Sequence, residues 1–448
     1  MPVVFALCAL VMVTVSCGGT TAMEYEKNPA LGELLDENVG YPAVRFAVFS
    51  DTHYHDPSLG SSGKAYADYL KSDSKMLHLS GEIIDAGMAA IAAENPEFVL
   101  VPGDLTKDGE RINHERFRDR LGALAKRVPK IYVIPGNHDI NNGMACRYAG
   151  DSTEPVDGVT PEDFAAIYAD FGYGSAVGTD PSSLSYFVEP VNGLWVLALD
   201  SCKYRDNRPG KHPETDGEFS AATLRWIEET LIRAKREKKA VIAFTHHGIV
   251  EHYPDNEKYY GKFVINDFTR VSGLFAAYGV RLVFTGHYHA QDITLRKIDV
   301  TGRFVYDIET GSFVTHPCPY RVISIDRNQN ARVESRFITS IASKRTGFER
   351  YSYDYIFSGT LGMVERALRK YRVSEKDIRA VAPDITGAYV SHLRGDEKKP
   401  DTPIDAGGLG LMGRIALKFQ GGLIEGWNTD LPPSDNAVTI NLMNGEWR

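Results

Sequence analysis

The stretch VIPGNHDINN, residues 133–142, decides how this chain is read. A run of strand type, Lys130 to Ile134, breaks at Pro135-Gly136, and Asn137, His138 and Asp139 follow in direct succession. Asn and Asp are common turn residues, so GNHD can be no more than a turn, and alone it leans that way. The rival reading is that the turn aims Asn137 and His138 at a ligand. The flanking sequence must separate the two.

Working outward, AVRFAVFSD (43–51) and EFVLVPGD (97–104) are also apolar runs of strand type, and each ends in an acid. Between them, residues 75–96 have helical spacing and stop at Asn95-Pro96; residues 112–128 form an amphipathic helix before the strand that opened this reading. Further on, Asn192-Gly193 separates two apolar runs as in a hairpin. A strong amphipathic helix follows over 220–239, with a Ser as its N-cap. AVIAFTHHG (240–248) and VRLVFTGHYHA (280–290) are two more buried strands ending in His, and short strands fill 292–340. Alternating strand and helix predicts an α/β sheet. Residues 18 to about 40 read as a tether and lead-in, and 345–448 as a mainly helical extension of unknown role.

Composition narrows the class. With 448 residues, 43% hydrophobic and 24% charged, the chain is globular in type and long enough for one large domain or two to three ordinary ones. The formal net charge of -9 comes without a basic block, which argues against a nucleic-acid partner. An acidic protein that binds phosphate needs local positive charge, and metal ions are one source. The uncharged apolar run Pro2–Val15 is short for a membrane span and fits a signal-peptide core, although it lacks a basic start. VTVSCGGTT resembles a bacterial lipoprotein signal. The expectation is export over residues 1–22, with lipid on Cys17 and a periplasmic or cell-surface location; plain secretion and a misplaced start are the alternatives. Cys146, Cys202 and Cys318 are widely spaced without CxxC, which is neither a disulfide framework nor a zinc ribbon.

One feature recurs: each strand runs into potential metal ligands. These are Asp51 and His53, then Asp104, then Asn137 and His138, then His246 and His247, then His287 and His289. In open α/β sheets the carboxyl ends of strands face the ligand crevice, so these distant residues can converge. Carboxylate, imidazole and amide oxygen suit Zn, Mn, Fe, Ni or Co. In extended DTH and HYH segments both outer members point to one side. Seven ligands exceed the need of one tetrahedral ion, so two ions are the natural count.

SDTH, PGDL, PGNHD, THHG and TGHYH, in this order, resemble the motifs of the calcineurin-like metallophosphoesterases, over residues 44 to about 310–340. The resemblance implies a β-sandwich flanked by helices, here a domain over 41–340. It implies two divalent or trivalent ions and hydrolysis of phosphomonoesters or phosphodiesters by a hydroxide bridging them. It places Asp51, His53 and His289 on the first metal, Asn137, His246 and His287 on the second, and Asp104 between them. His138 would be the acid for the leaving group, with Asp139 holding its ring. The rivals are a dimetal hydrolase of other esters or amides, and a surface binding protein with a dead site. Asp108 reads as a turn or a residue supporting the site, and His114 as either a buttress or part of a helix face. His55 and the basic loop 203–212 read as solvated surface, and the tyrosines between 351 and 389 as packing.

Overall fold

The computed structural model describes residues 22–298, 302–400 and 404–448, so the expected signal, Cys8 and Cys17 lie outside the described residues. Two sheets packed face to face form the centre. The first has the order Ala437–Asn441, Asn330–Phe337, Pro319–Ile325, Val44–Val48, Phe98–Val101, Ile131–Val133. Its last three strands are parallel and the others antiparallel. The second has the order Asp292–Ile298, Arg303–Glu309, Leu282–Thr285, Ala240–Thr245, Leu194–Leu199, Tyr186–Val191, Gly178–Thr179. Here the four strands from Arg303–Glu309 to Leu194–Leu199 run parallel.

The near-continuous apolar strands follow from burial on both faces. Along Val44–Val48 and Phe98–Val101, side chains alternate with period two. Phe46, Val48, Phe98 and Leu100 enter the core between the sheets, while Ala47, Val99 and Val101 meet an outer core. Phe46 stacks on Phe98, ring centroids 4.6 Å apart, and meets Phe284 of the other sheet edge-on at 5.3 Å. The outer core of the first sheet takes Ile83, Ile84 and Ile91 of the helix Ser80–Ala93 and Phe117 and Leu121 of the helix Arg111–Ala125. The second sheet is covered by the helices Ala221–Arg236, capped by Ser220 Oγ, and Phe268–Tyr278. This is the sandwich flanked by helices that the motifs imply.

The N-terminal end of the described chain departs from the sequence reading, while the C-terminal end is the mainly helical extension it expected, with one strand added. The lead-in is no mere tether: Leu31 and Leu35 are buried with the helix Ala221–Arg236, and Glu228 accepts hydrogen bonds from the backbone N–H groups of Glu24 and Tyr25. The extension after 345 forms the helices Phe348–Lys370, Glu375–Arg394 and Leu411–Gly426, then returns Ala437–Asn441 to the edge of the first sheet. The core of the helical unit includes Tyr253 and Tyr288 of the sandwich. Tyr288 Oη accepts from Trp427 Nε1 at 2.9 Å and bonds Tyr253 Oη at 3.0 Å. A boundary near 345 therefore separates pattern types, not independent bodies.

Candidate active site

The ligand-bearing segments begin just past the strands, and their backbone is unusual. Asp51, His53, Asp104, His287 and His289 have φ of 53°, 37°, 49°, 77° and 72°. DTH and HYH are thus not extended, as the alternation argument assumed. They are tight left-handed turns, which swing the outer side chains of each triplet toward one point. Such conformations cost non-Gly residues about 1–3 kcal/mol each, and they persist only where the surroundings enforce them. Two glycines make the room. A Cβ on Gly136 would lie 2.2 Å from Asp104 Oδ1, and one on Gly286 would lie 2.4 Å from Asp51 Oδ2. This close packing is the physical content of the Gly in PGN and TGH.

The ligand atoms gather in two groups that share Asp104. Asp51, His53, Asp104 and His289 present theirs within 4.8 Å of one another, and so do Asp104, His246 and His287. Asp104 Oδ2 lies 3.6 Å from His53 Nε2 and 3.5 Å from His246 Nε2. His289 Nε2 is 3.3 Å from Asp51 Oδ1 and 3.0 Å from His53 Nε2. Asn137 Oδ1 is 3.2 Å from His246 Nε2. His246 Nδ1 lies 2.8 Å from the Pro102 carbonyl; an N–H there leaves Nε2 as the electron-pair donor. His247 turns away, with Ser201 Oγ at 2.7 Å on Nδ1 and the Thr215 carbonyl at 2.9 Å on Nε2.

These residues fit a pair of cations. Asp51 Oδ1 is buried with no hydrogen-bond partner, and the Nε2 atoms of His53 and His289 face each other. A buried carboxylate oxygen without a partner costs several kcal/mol, which a cation offsets. Burial holds His53 and His287 well below the usual His range, in the neutral form that ligates. Burial alone would lower His246 too, but the Asp104 carboxylate prevails and pushes it up to about 9.

His138 stands at the edge of this cluster, its ring edge-on to His53 with centroids 5.0 Å apart. The expectation that Asp139 holds this ring is corrected. Both Asp139 oxygens are taken by the N–H groups of Leu105, Thr106 and Gly136 and by Thr106 Oγ1. Asp139 therefore staples the PGDL and PGNHD turns together, and His114 buttresses it from behind, Nε2 2.9 Å from its carbonyl. His138 Nδ1 is held instead by Asp108 Oδ1 at 2.9 Å and the Lys107 carbonyl at 2.8 Å. Burial would raise the Asp108 carboxyl, but Lys107 and His138 hold it well below the usual carboxylate range.

A recess of about 50 Å³ opens onto Asp104, Asn137, His138, His287 and His289. Its other walls include Lys75, Phe263, Tyr288 and Tyr389. Sequence reading missed Lys75, which is buried 3.1 Å from Asp73 and looks in the sequence like a solvated residue before a helix. It also read Tyr389 of the helix Glu375–Arg394 as packing alone. The basic loop 203–212 is not among the lining residues; His55, read as solvated, is buried against Tyr66.

Fold and cluster together define a helix-flanked sandwich that gathers ligand atoms for two metal ions at the ends of its strands. The chain belongs to the calcineurin-like phosphoesterase family, whose profile matches residues 44–291. Among curated proteins it is similar to the serine/threonine-protein phosphatase CPPED1 of Homo sapiens, 26% identical over 201 residues, which is 43% of this chain and 54% of that protein. The Pongo abelii protein of the same name matches at 26% over 200 residues, with the same coverage. The chain thus spans about half the length of the curated relatives it matches. Among solved structures it is similar to a dimetal phosphatase from Danio rerio, with TM-score 0.46, 15% identity, and coverage of 66% of this chain and 97% of that one. It is also similar to a purple acid phosphatase from yellow lupin, with TM-score 0.43, 16% identity, and coverage of 69% and 54%.

Proposed function

We propose that this protein hydrolyses phosphate esters at the cluster centred on Asp104, with phosphomonoesters as its substrates. The carrying observation is the convergence of Asp51, His53, Asp104, Asn137, His246, His287 and His289 into two ligand groups that share one carboxylate. When bound, two ions supply Lewis acidity toward phosphoryl oxygens and a water acidified for attack. The protein's own groups do the rest. Asp104 would be shared by the two ions, and Asn137 would add a neutral donor that preserves their acidity. Hydrolysis forms one P–O bond from water and breaks the ester P–O bond, so the leaving oxygen needs a proton. His138 can give it: Nδ1 is engaged by Asp108 and a carbonyl, which leaves Nε2 for the leaving group, and the Asp108 carboxylate stabilises the imidazolium.

The recess supports the monoester reading. Lys75, paired with Asp73 at 3.1 Å, and Asp73 itself both line the recess, so a charged side-chain pair borders the place a phosphoryl group would occupy. Phe263 and Tyr389 narrow it, which suits a terminal phosphate with one substituent over a diester with two. The name of the curated relatives, serine/threonine-protein phosphatase, points to monoesters as well. The test is a panel of aryl, alkyl and phosphopeptide monoesters against aryl and cyclic diesters, run with Mn(II) or Zn(II). Hydrolysis of monoesters supports the reading. Faster hydrolysis of diesters would contradict the substrate class, and no hydrolysis by metal-loaded protein would contradict the activity.

Export with a lipid on Cys17 belongs to the same proposal, supported by the apolar run that precedes VTVSCGG. Labelled fatty acid should enter the wild-type protein and not Cys17→Ser.

A further inference from the structure

Away from the active centre, another cluster of ligand type lies where the helical unit meets the sandwich. Asp292 opens the strand Asp292–Ile298, His392 sits near the end of the helix Glu375–Arg394, and Glu397 is in the segment beyond. Their ligand atoms lie within 4.8 Å of one another, the same span as in the two active-site groups. They are only 4%, 1% and 8% exposed.

The polar bookkeeping here does not close. His392 Nδ1 is 2.7 Å from Glu397 Oε1, but Glu397 Oε2 is buried with no hydrogen-bond partner. Oδ2 of the nearby Asp435, itself 1% exposed, is in the same condition. The neighbouring cations do not resolve this. The guanidinium of Arg321 donates to the main-chain carbonyls of Glu309, Asp292 and Asp435 and to Ser335 Oγ. His252 is taken by Glu309, Nδ1 to Oε2 at 2.5 Å. Arg321 and His252 bring positive charge nearby without bonding the open oxygens of Glu397 and Asp435, which a proton shared between these acids or a bound metal ion would satisfy.

We infer that Asp292, His392 and Glu397 form a third metal site, separate from the active centre, which takes a borderline divalent ion and clamps the helical unit onto the sandwich. One imidazole and two carboxylates suit Zn(II) or Mn(II), with Asp435 or water completing the shell. A shared proton would leave the His392 imidazole with nothing to do beyond its bond to Glu397; an ion uses all three residues. The site also has a functional lever. Tyr389, which walls the substrate recess, precedes His392 by three positions and lies on the same helix face. An ion on His392 would therefore anchor the helix that carries Tyr389.

The test counts metal by mass spectrometry in full-length protein loaded with Zn(II) and desalted. Three equivalents per chain are expected in the wild type and two in Glu397→Gln and in His392→Gln. Asp104→Asn should keep the third equivalent, so the two sites report separately. Glu397→Gln is nearly isosteric and guards against a variant that fails to fold. It should also unfold at a lower temperature than the wild type. An unchanged count in Glu397→Gln, with equal or higher stability, would overturn the site in favour of a shared proton. One equivalent in the wild type, lost in Glu397→Gln but not in Asp104→Asn, would support this site and count against the dinuclear centre.

Discussion

The active centre and the junction cluster are built from the same materials and by opposite means. At the active centre each candidate ligand sits one to five residues past a strand, and five of the seven, Asp51, His53, Asp104, His287 and His289, are left-handed in tight turns. At the junction, Asp292 comes from a strand, His392 from a helix 100 positions later, and Glu397 from the segment that follows, with no shared motif. The first is encoded locally and then gathered by the sheets. The second exists only because a helical unit docks. The lesson is that ligand chemistry can be read from sequence when local backbone geometry is part of the site, and is invisible when docking alone assembles it.

Variants can break or sharpen this contrast. The largest effect is expected from Asp104→Asn: turnover should fall to the level of buffer and both active-site ions should be lost, while circular dichroism stays that of the wild type. Wild-type metal content in that variant would remove the shared-ligand role. His138→Ala should keep its metal and lose about 10²–10⁴-fold in rate on esters with poor leaving groups, and much less on nitrophenyl esters. An equal loss on both would count against proton donation. Asp108→Asn should fall by about 10- to 100-fold, as supports of this kind do, whereas Asp139→Asn should lower the unfolding temperature. If Asp139→Asn instead reproduced the leaving-group dependence of His138→Ala, the assignment of ring support to Asp108 would fail.

Smaller effects fall on the docked unit. Tyr389→Ala should open the recess and shift the ratio of diester to monoester kcat/KM about tenfold toward diesters, within the range that one pocket contact provides. No shift would detach the helical unit from substrate choice. Trp427→Phe removes the indole N–H that Tyr288 accepts and should cost about 1 kcal/mol in urea unfolding, with kcat within twofold of wild type.

Much of the sandwich was legible because its strands are buried on both faces and punctuated by Gly-Asp, Gly-Asn and Gly-His. The seven candidate ligands were legible as residues that could converge for the same reason. What escaped did so for identifiable causes. Period-two reasoning placed DTH and HYH on strands, yet the left-handed φ of Asp51, His53, His287 and His289 had to be seen to be known. Asp139 adjoins His138 in sequence, but neighbours on a tight turn diverge, and Asp108 reaches the ring from a turn 30 positions earlier. Lys75 and Tyr389 belong to segments whose approach to the recess is a matter of packing. The strand Ala437–Asn441 is short and polar at alternate positions, and its partner across the sheet edge lies about 100 residues upstream.

The central claim is that Asp104 stands between two ions. Anomalous diffraction from crystals of the Mn(II)-loaded protein tests it most directly. Two peaks about 3.5–4 Å apart are expected, one beside Asp51, His53 and His289 and one beside Asn137, His246 and His287, with Asp104 contacting both. A single peak, or two peaks with Asp104 bound to only one, would contradict it.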